Sequence, residues 1–215
     1  MQQKKSYLLS IIIPTFNSER FISRAVKSCS IKNLNKIEII IVDDDSRDKT
    51  KQICKKLLKK NKNIKLFLNK KRMGVGHSRN IGIEKAKGKY LIFLDSDDEL
   101  FNKNLNKLLI FAKKNSSSQF IITQFNKRTK PKDNIELLKK LKNTSIINKL
   151  ISYLLLSNFP FSDCWEVIVN RDFINRNKIR FSNSNFGESE YFMSKLLLKS
   201  KKFFFFDKKF YLKND

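Results

Sequence analysis

The chain has 215 residues, 40% of them apolar and 19 of them Phe, which excludes a disordered polymer and is enough for a real core. It carries 46 Lys and Arg against 20 Asp and Glu, a formal charge of +26. A field of that sign attracts polyanions: nucleotide phosphates, nucleic acid or anionic lipid. The lysines spread along the whole chain, as a coding bias toward Lys, Asn, Ile and Phe would also arrange them, so charge alone names no partner. No apolar run reaches the roughly 18 residues of a spanning helix. The polar residues 1–6 lead into a strand without a small-residue cleavage site, so no secretory leader is expected. Cys29, Cys54 and Cys164 are widely spaced and suit buried thiols in a reducing cytoplasm better than disulfides or zinc. His77, the single histidine, rules out most mechanisms that need three histidines or a His-rich metal site, and reads as a structural loop residue.

In chain order, residues 7–13 read as an apolar strand ended by Pro14. Ser18 or Asn17 is placed to cap a helix over 19–30, with Phe21, Ile22, Ala25, Val26 and Cys29 at helical spacing. A second apolar strand, 37–42, closes on Asp43-Asp44-Asp45-Ser46. A Lys-rich helix over 48–60 follows, with Ile53, Leu57 and Leu58 inward, then a short strand, 64–68. Residues 74–80 read as a loop entering a helix that ends near Gly88, where glycine is the expected terminator. The fourth strand, 90–94, stops abruptly in Asp95-Ser96-Asp97-Asp98.

Four strands alternating with three helices imply parallel strands and a doubly wound α/β sheet, mostly parallel, with helices on both faces. In such a sheet the polar clusters after the first, second and fourth strands lie on one edge, where ligands bind. Asp95-x-Asp97 at that edge is a good oxygen donor pair for a divalent cation that also holds a substrate's phosphates. Beyond residue 101 a helix is expected over 102–114 and a strand over 119–125. The basic, polar stretch 126–142, with Pro131 inside it, reads as a loop and a short helix, and 145–156 as a further helix. A strand over 165–169, a helical turn over 171–177, a helix ending near Leu198 and a last strand over 202–207 complete the chain. Trp165 reads as core rather than as a sugar-stacking ring.

Three alternatives fit poorly. Gly74-Val75-Gly76 begins a dinucleotide fingerprint, but Arg79 occupies the third glycine's place, and no Walker lysine motif is present. Phe93-Leu94-Asp95-Ser96-Asp97 is superficially like a haloacid dehalogenase phosphatase loop, yet follows the fourth strand, with Glu99 where that family wants Thr or Val. A basic nucleic-acid or membrane module would show basic and aromatic residues interleaved on a recognition element, which is not visible.

Ile11 to Asn17 with Pro14-Thr15-Phe16, Val42-Asp43-Asp44-Asp45-Ser46, Gly76-x-Ser78-Arg79-Asn80-x-Gly82 and Gly88-x-Tyr90-x-x-Phe93-Leu94-Asp95-Ser96-Asp97-Asp98 together resemble, in order and spacing, the family 2 glycosyltransferases of GT-A fold. Trp165, Phe173-Ile174, Ile179-x-Phe181 and Gly187-Glu188-x-x-x-Phe192 are a fainter likeness to that family's acceptor half. The resemblance implies one Rossmann-like GT-A domain over 1–215, with 7–101 binding the nucleotide sugar and 102–215 forming the acceptor side. It implies inverting transfer of a sugar, from a UDP-sugar in most members, to a glycan or lipid-linked saccharide in surface polysaccharide, lipooligosaccharide or capsule synthesis. Such an enzyme would work in the cytoplasm, at the anionic inner face of the plasma membrane, with no specific nucleic-acid partner.

Carried over residue by residue, Pro14, Thr15 and Phe16 would line the nucleoside pocket, with Glu19 reaching it from the first helix turn. Asp44 would accept from the base, Arg79 would offset diphosphate charge, and Ser96, between the two acids, would bind the nucleotide sugar together with Asp97. Asp95 and Asp97 would hold Mn²⁺ or Mg²⁺, with Asp97 the more direct ligand. The family's base is an Asp that opens a late helix, and Ser189 stands in its place here. Glu188 is then the candidate base, with Glu190 second, and a homologue that binds nucleotide without transferring sugar stays open.

Overall fold

The computed structural model of the chain describes residues 7–30, 36–125, 163–184 and 186–214; the expected loop and helices between 126 and 156 lie outside the described residues. Strands β1 (Leu9–Thr15), β2 (Ile37–Asp43) and β4 (Tyr90–Phe93) are buried along their whole length, as expected of mostly apolar runs covered on both faces. With β3 (Ile64–Leu68) they form a wholly parallel quartet in the order β3-β2-β1-β4. The sheet continues through β7 (Val167–Asn170), β6 (Phe120–Phe125), β8 (Phe203–Leu212) and β5 (Glu99–Leu100) to eight strands. There β4/β7, β6/β7 and β5/β8 pair antiparallel and β6/β8 parallel, so the second half is mixed.

The pleat sorts side chains onto two faces. Ile11, Ile13, Ile39 and Ile41 pack with helices α1 (Ile22–Ser28), α2 (Thr50–Lys60) and α4 (Asn102–Lys114). Their neighbours Ile12, Ile40 and Val42 pack on the other face with α3 (Val75–Lys85), α5 (Arg171–Arg176) and α6 (Glu188–Lys199). A one-residue slip of β1 against β2 would exchange those faces, so the register Ile11↔Ile39 is fixed by packing. At the amino end of these strands buried Glu38 accepts hydrogen bonds from the Ser10 hydroxyl (2.6 Å), the Gly88 and Lys87 amides and Lys65.

Several boundaries differ from the sequence expectation. Helix α1 begins at Ile22 rather than Glu19, because residues 17–19 are tied elsewhere: the Asn17, Ser18 and Glu19 amides donate to Ser46 Oγ, Thr50 Oγ1 and Asp48 Oδ2. Phe21 is consequently 40% exposed, and Leu58 is exposed too. Helix α3 starts at once after Gly74, whose φ of 92° lets the chain turn straight into the helix, so Arg79 and His77 sit on a helix and not in a loop. The last strand runs five residues past its expected end, and β5 was not foreseen. Trp165 is buried and stacked on Tyr211 at 4.8 Å, and the three cysteines are buried free thiols. Among the described residues no helix is long and apolar enough to cross a membrane.

Candidate active site

The carboxyl ends of β1, β2 and β4 converge because the strands are parallel and adjacent. Thr15 and Asp43 are register partners, and the Asp44 amide donates to Thr15 O at 2.8 Å. Around this edge opens a cleft of about 910 Å³. Its walls include Pro14, Thr15, Phe16, Asp44, Asp95, Ser96 and Asp97, the strand-end residues singled out in the sequence.

Each strand end is shaped by its own hydrogen bonds. Asp43 accepts from the Ser46 amide (3.0 Å) and hydroxyl (2.6 Å), an Asx-type turn that bends the chain after β2. Asp44, almost fully buried, accepts from Asn69 Nδ2 (2.7 Å) and the Met73 amide (2.9 Å) on Oδ1 and from the Gly74 amide (2.8 Å) on Oδ2. It thereby shapes the 69–74 loop, and of a carboxylate's roughly four acceptor sites it keeps one for a ligand. Ser96 exchanges a hydrogen bond with Ser18 at 2.8 Å. Thr15 Oγ1 is buried without a partner among the described residues. Glu19 does not line the cleft; its carboxylate accepts from the Lys49 amide at 2.8 Å.

The three aspartates after β4 have different surroundings. Asp98 is buried: its carboxylate accepts from the Tyr211 hydroxyl (2.8 Å) and the Asn214 amide (2.8 Å). Burial pushes its pKa up, against the pull of those two hydrogen bonds and with help from the charges of Asp95 and Asp97. Tyr211 also accepts from the Asp95 amide (3.1 Å), so β8 clamps the acidic segment from behind. The Asp97 backbone carbonyl is held by Arg24 and Asn214 (both 2.9 Å), while its carboxylate is exposed on the cleft wall with no partner among the described residues. Asp95 gives Oδ1 to Arg79 Nη2 (2.8 Å) and keeps Oδ2.

The carboxylates fit a divalent cation that shares its shell with a ligand. Asp97 and the second oxygen of Asp95 are hard donors in the cleft, yet no group of three His, Cys, Asp or Glu side chains among the described residues is arranged to hold a metal alone. That is the donor set expected where substrate phosphates supply the remaining oxygens.

Arg79 lies beneath the cleft and not on its wall, only 4% exposed. Its Nη1 donates to Glu188 Oε1 (2.9 Å) and, at 3.5 Å, to Ser189 Oγ. Burial disfavours its charge, and neighbouring Cys164, Asp95 and Glu188 raise its pKa above the ordinary value nonetheless. Burial pushes the Cys164 thiol itself up to about 12, so at neutral pH the two carboxylates carry that effect. Glu188 opens α6 after Gly187, a left-handed residue at φ 71°. Ser189 is buried against Arg79 and Cys164, and Glu190 is exposed.

Among residues the sequence reading missed, Arg72 and Phe186 line the cleft and buried Tyr211 backs it. Arg72 lies over the face of Phe16 at 4.1 Å; in the run Asn69-Lys70-Lys71-Arg72 nothing distinguished it except its place just after β3, on the ligand edge. Phe186, 89% exposed on the cleft wall, follows Ser184, whose hydroxyl donates to Phe186 O (2.6 Å) and accepts from its amide (3.2 Å). Tyr211 lies far off in sequence, on a stretch of strand where Lys208 and Lys209 interrupt the apolar pattern.

The family model described as Glycosyl transferase family 2 matches residues 10–177. A cholesterol galactosyltransferase of Borreliella burgdorferi is 32% identical over 95% of this chain and 59% of its own length. A GalNAc(5)-diNAcBac-PP-undecaprenol β-1,3-glucosyltransferase of Campylobacter jejuni is 39% identical over 47% of this chain and 33% of its own. The crystal structure of S. aureus TarS in complex with UDP-GlcNAc superposes with a TM-score of 0.78 at 26% identity, covering 96% of this chain and 58% of that one. The fold is thus GT-A, and the chain spans less than two thirds of each of these relatives. With its motifs in family order and the family model covering residues 10–177, the chain belongs to glycosyl transferase family 2.

Proposed function

We propose that the chain transfers a sugar from a UDP-sugar to a glycan or lipid-linked acceptor, inverting the anomeric carbon, in the synthesis of a surface polysaccharide, lipooligosaccharide or capsule. The observation that carries this is the cleft itself, with an aromatic wall at Phe16, a buried acceptor at Asp44 and a free carboxylate at Asp97. The TarS complex holds UDP-GlcNAc, and the two curated relatives are named for a sterol and a polyprenyl-linked acceptor, which supports both halves of the reading.

The nucleoside lies along Pro14, Thr15 and Phe16, with the last acceptor site of Asp44 turned to the base and Ser96 beside the donor. Arg72 supplies positive charge from the wall. Mn²⁺ or Mg²⁺ held by Asp97 and Asp95 would stabilise charge on the departing diphosphate. The acceptor oxygen forms its bond to the anomeric carbon from the face opposite the diphosphate, whose C–O bond breaks with its electron pair, and UDP leaves. Glu188 takes the acceptor's proton on Oε2, since Oε1 is engaged by Arg79. Phe186 with Asn183 and Ser184 forms the acceptor rim, an aromatic face flanked by polar groups. The net charge of +26 holds the protein at an anionic membrane surface.

One observation favours a second reading. Ser189 fills the family's Asp position with a buried hydroxyl that cannot act as a carboxylate base, which suits a homologue that binds nucleotide without transfer. Release of UDP from UDP-glucose, UDP-galactose and UDP-GlcNAc, with Mn²⁺ and lipid-linked saccharide acceptors, separates the two. UDP release with a product of inverted configuration supports transfer; binding of a UDP-sugar with no release in any combination supports the second reading.

A further inference from the structure

We propose that Arg79 is a positioning residue that never meets the donor. It locks the cation-side carboxylate Asp95 and the candidate base Glu188 into one rigid unit, 16 and 109 residues away from it in sequence. This inference rests on the transferase reading for its catalytic consequence, and on geometry alone for the bridge.

The bridge is built from α3. Gly76, Arg79 and Ile83 share one helix face. A Cβ on Gly76 would lie 2.5 Å from Ser182 O and 3.3 Å from the Glu188 side chain, so the helix meets the 182–188 segment at a distance only glycine permits. One turn on, Asn80 exchanges a pair of hydrogen bonds with the Phe181 backbone (3.0 and 2.9 Å). Gly82 packs as tightly on Ile12 of β1, where a Cβ would come within 2.3 Å. The helix is therefore wedged between the donor-side sheet and the acceptor-side segment, and Arg79 sits at the join.

The guanidinium is spent there. Its two terminal nitrogens hold Asp95, Glu188 and Ser189, and the Phe181 ring covers it at 5.2 Å. Nε has no partner among the described residues. A buried charge persists where it is paired, and this one is paired twice. Exposure rises outward from it, from 5% for the Arg79 side chain to 14% for Glu188 and 31% for Asp95. Asp95 lines the cleft, whereas partly buried Glu188 stands behind its lining, and their common cation stays below both. A fork of fixed geometry holds two carboxylates at a set separation, which a single ammonium cannot do. Each acid keeps one oxygen, so the bridge orients both without consuming either.

The test separates donor binding from turnover in Arg79→Lys and Arg79→Gln. Affinity for UDP-GlcNAc with Mn²⁺ is expected to stay within about threefold of wild type, while kcat falls roughly 10²-fold, the size of a small misplacement of reacting groups. Lysine should recover part of what glutamine loses. A rise of about tenfold or more in Kd with unchanged kcat would make Arg79 a donor contact and overturn the proposal. A thermal-unfolding cycle of Arg79→Gln, Glu188→Gln and the double variant needs no activity. Melting-temperature losses that are smaller together than summed support the bridge, and simple additivity overturns it. Failure of the wild type to bind any nucleotide sugar would remove the transferase reading and leave that cycle to decide the bridge.

Discussion

The cleft has two unlike walls. The donor wall is the edge of the parallel quartet, where Asp43, Asp44, Ser46, Asn17 and Ser18 tie neighbouring strand ends to one another through short bonds, several of them buried. The proposed acceptor wall, residues 177–184 and 186–188, meets the sheet through apolar packing, with the Phe181 ring edge-on to Phe93 of β4 at 4.9 Å. Its polar fixed points include the Asn80–Phe181 pair, the Arg79–Glu188 ion pair and the Ser184 turn. A wall of strand ends is tied by hydrogen bonds between neighbouring strands, whereas the other rests on apolar packing against β4 and α6 and takes its long-range polar ties from one helix, α3. Donor binding should therefore survive damage to the acceptor wall.

Changes on either side can break or sharpen that contrast. Asp97→Ala removes a carboxylate that has no partner among the described residues, and kcat/KM for transfer should fall on the order of 10³-fold, as loss of several kcal/mol of charge stabilisation requires. Addition of EDTA to the wild type should mimic it. Gly76→Ala drives a Cβ into Ser182 O; transfer should fall roughly 10²-fold while UDP-sugar affinity holds. Equal loss of both would mean that the walls are not separable. Asp44→Asn leaves the Gly74 or Met73 amide without its charged acceptor, costing about 2 kcal/mol of stability in thermal melts, and raises the donor Kd with no effect specific to the acceptor. Phe186→Ala should raise the acceptor KM by about tenfold, the worth of one stacked ring, and leave stability untouched because the ring is 89% exposed.

The smallest functional effect is expected at the far end of the sheet. Burial alone would raise the pKa of Glu38, yet hydrogen bonds from Lys65, Ser10 and the Lys87 amide outweigh it and hold the carboxyl below its ordinary value of 4.5. The unfolded chain thus takes up this proton first, so the group's stabilisation is present above about pH 4.5 and is lost as pH falls through the depressed native value. Glu38→Gln should lower the melting temperature at pH 7, flatten its acid dependence and leave UDP-sugar affinity unchanged. A change in donor affinity would contradict the separation of this end of the sheet from the cleft.

The same contrast explains what was legible in the sequence. β1, β2 and β4 are buried on both faces and read as mostly apolar runs, so the quartet and the convergence of their polar ends followed from pattern. The role of Asp44 in shaping the 69–74 loop, the turn of Glu19 toward Lys49 and the burial of Arg79 were hidden, because orientation at a strand end depends on which backbone amides arrive there. Asp98 stands beside Asp97 in sequence and faces Tyr211, a partner supplied by the last strand. Phe186 and Arg72 had no periodic signal, being single exposed residues in irregular segments.

The central claim is that the β1–β2–β4 edge binds a nucleotide sugar together with a divalent cation at Asp97. Calorimetric titration of UDP-GlcNAc into the wild type and Asp97→Ala, each with and without Mn²⁺, tests it most directly. A single saturable site that weakens by about tenfold or more on removal of either Mn²⁺ or the carboxylate is the predicted result. No binding to the wild type, or equal binding in all four titrations, would contradict it.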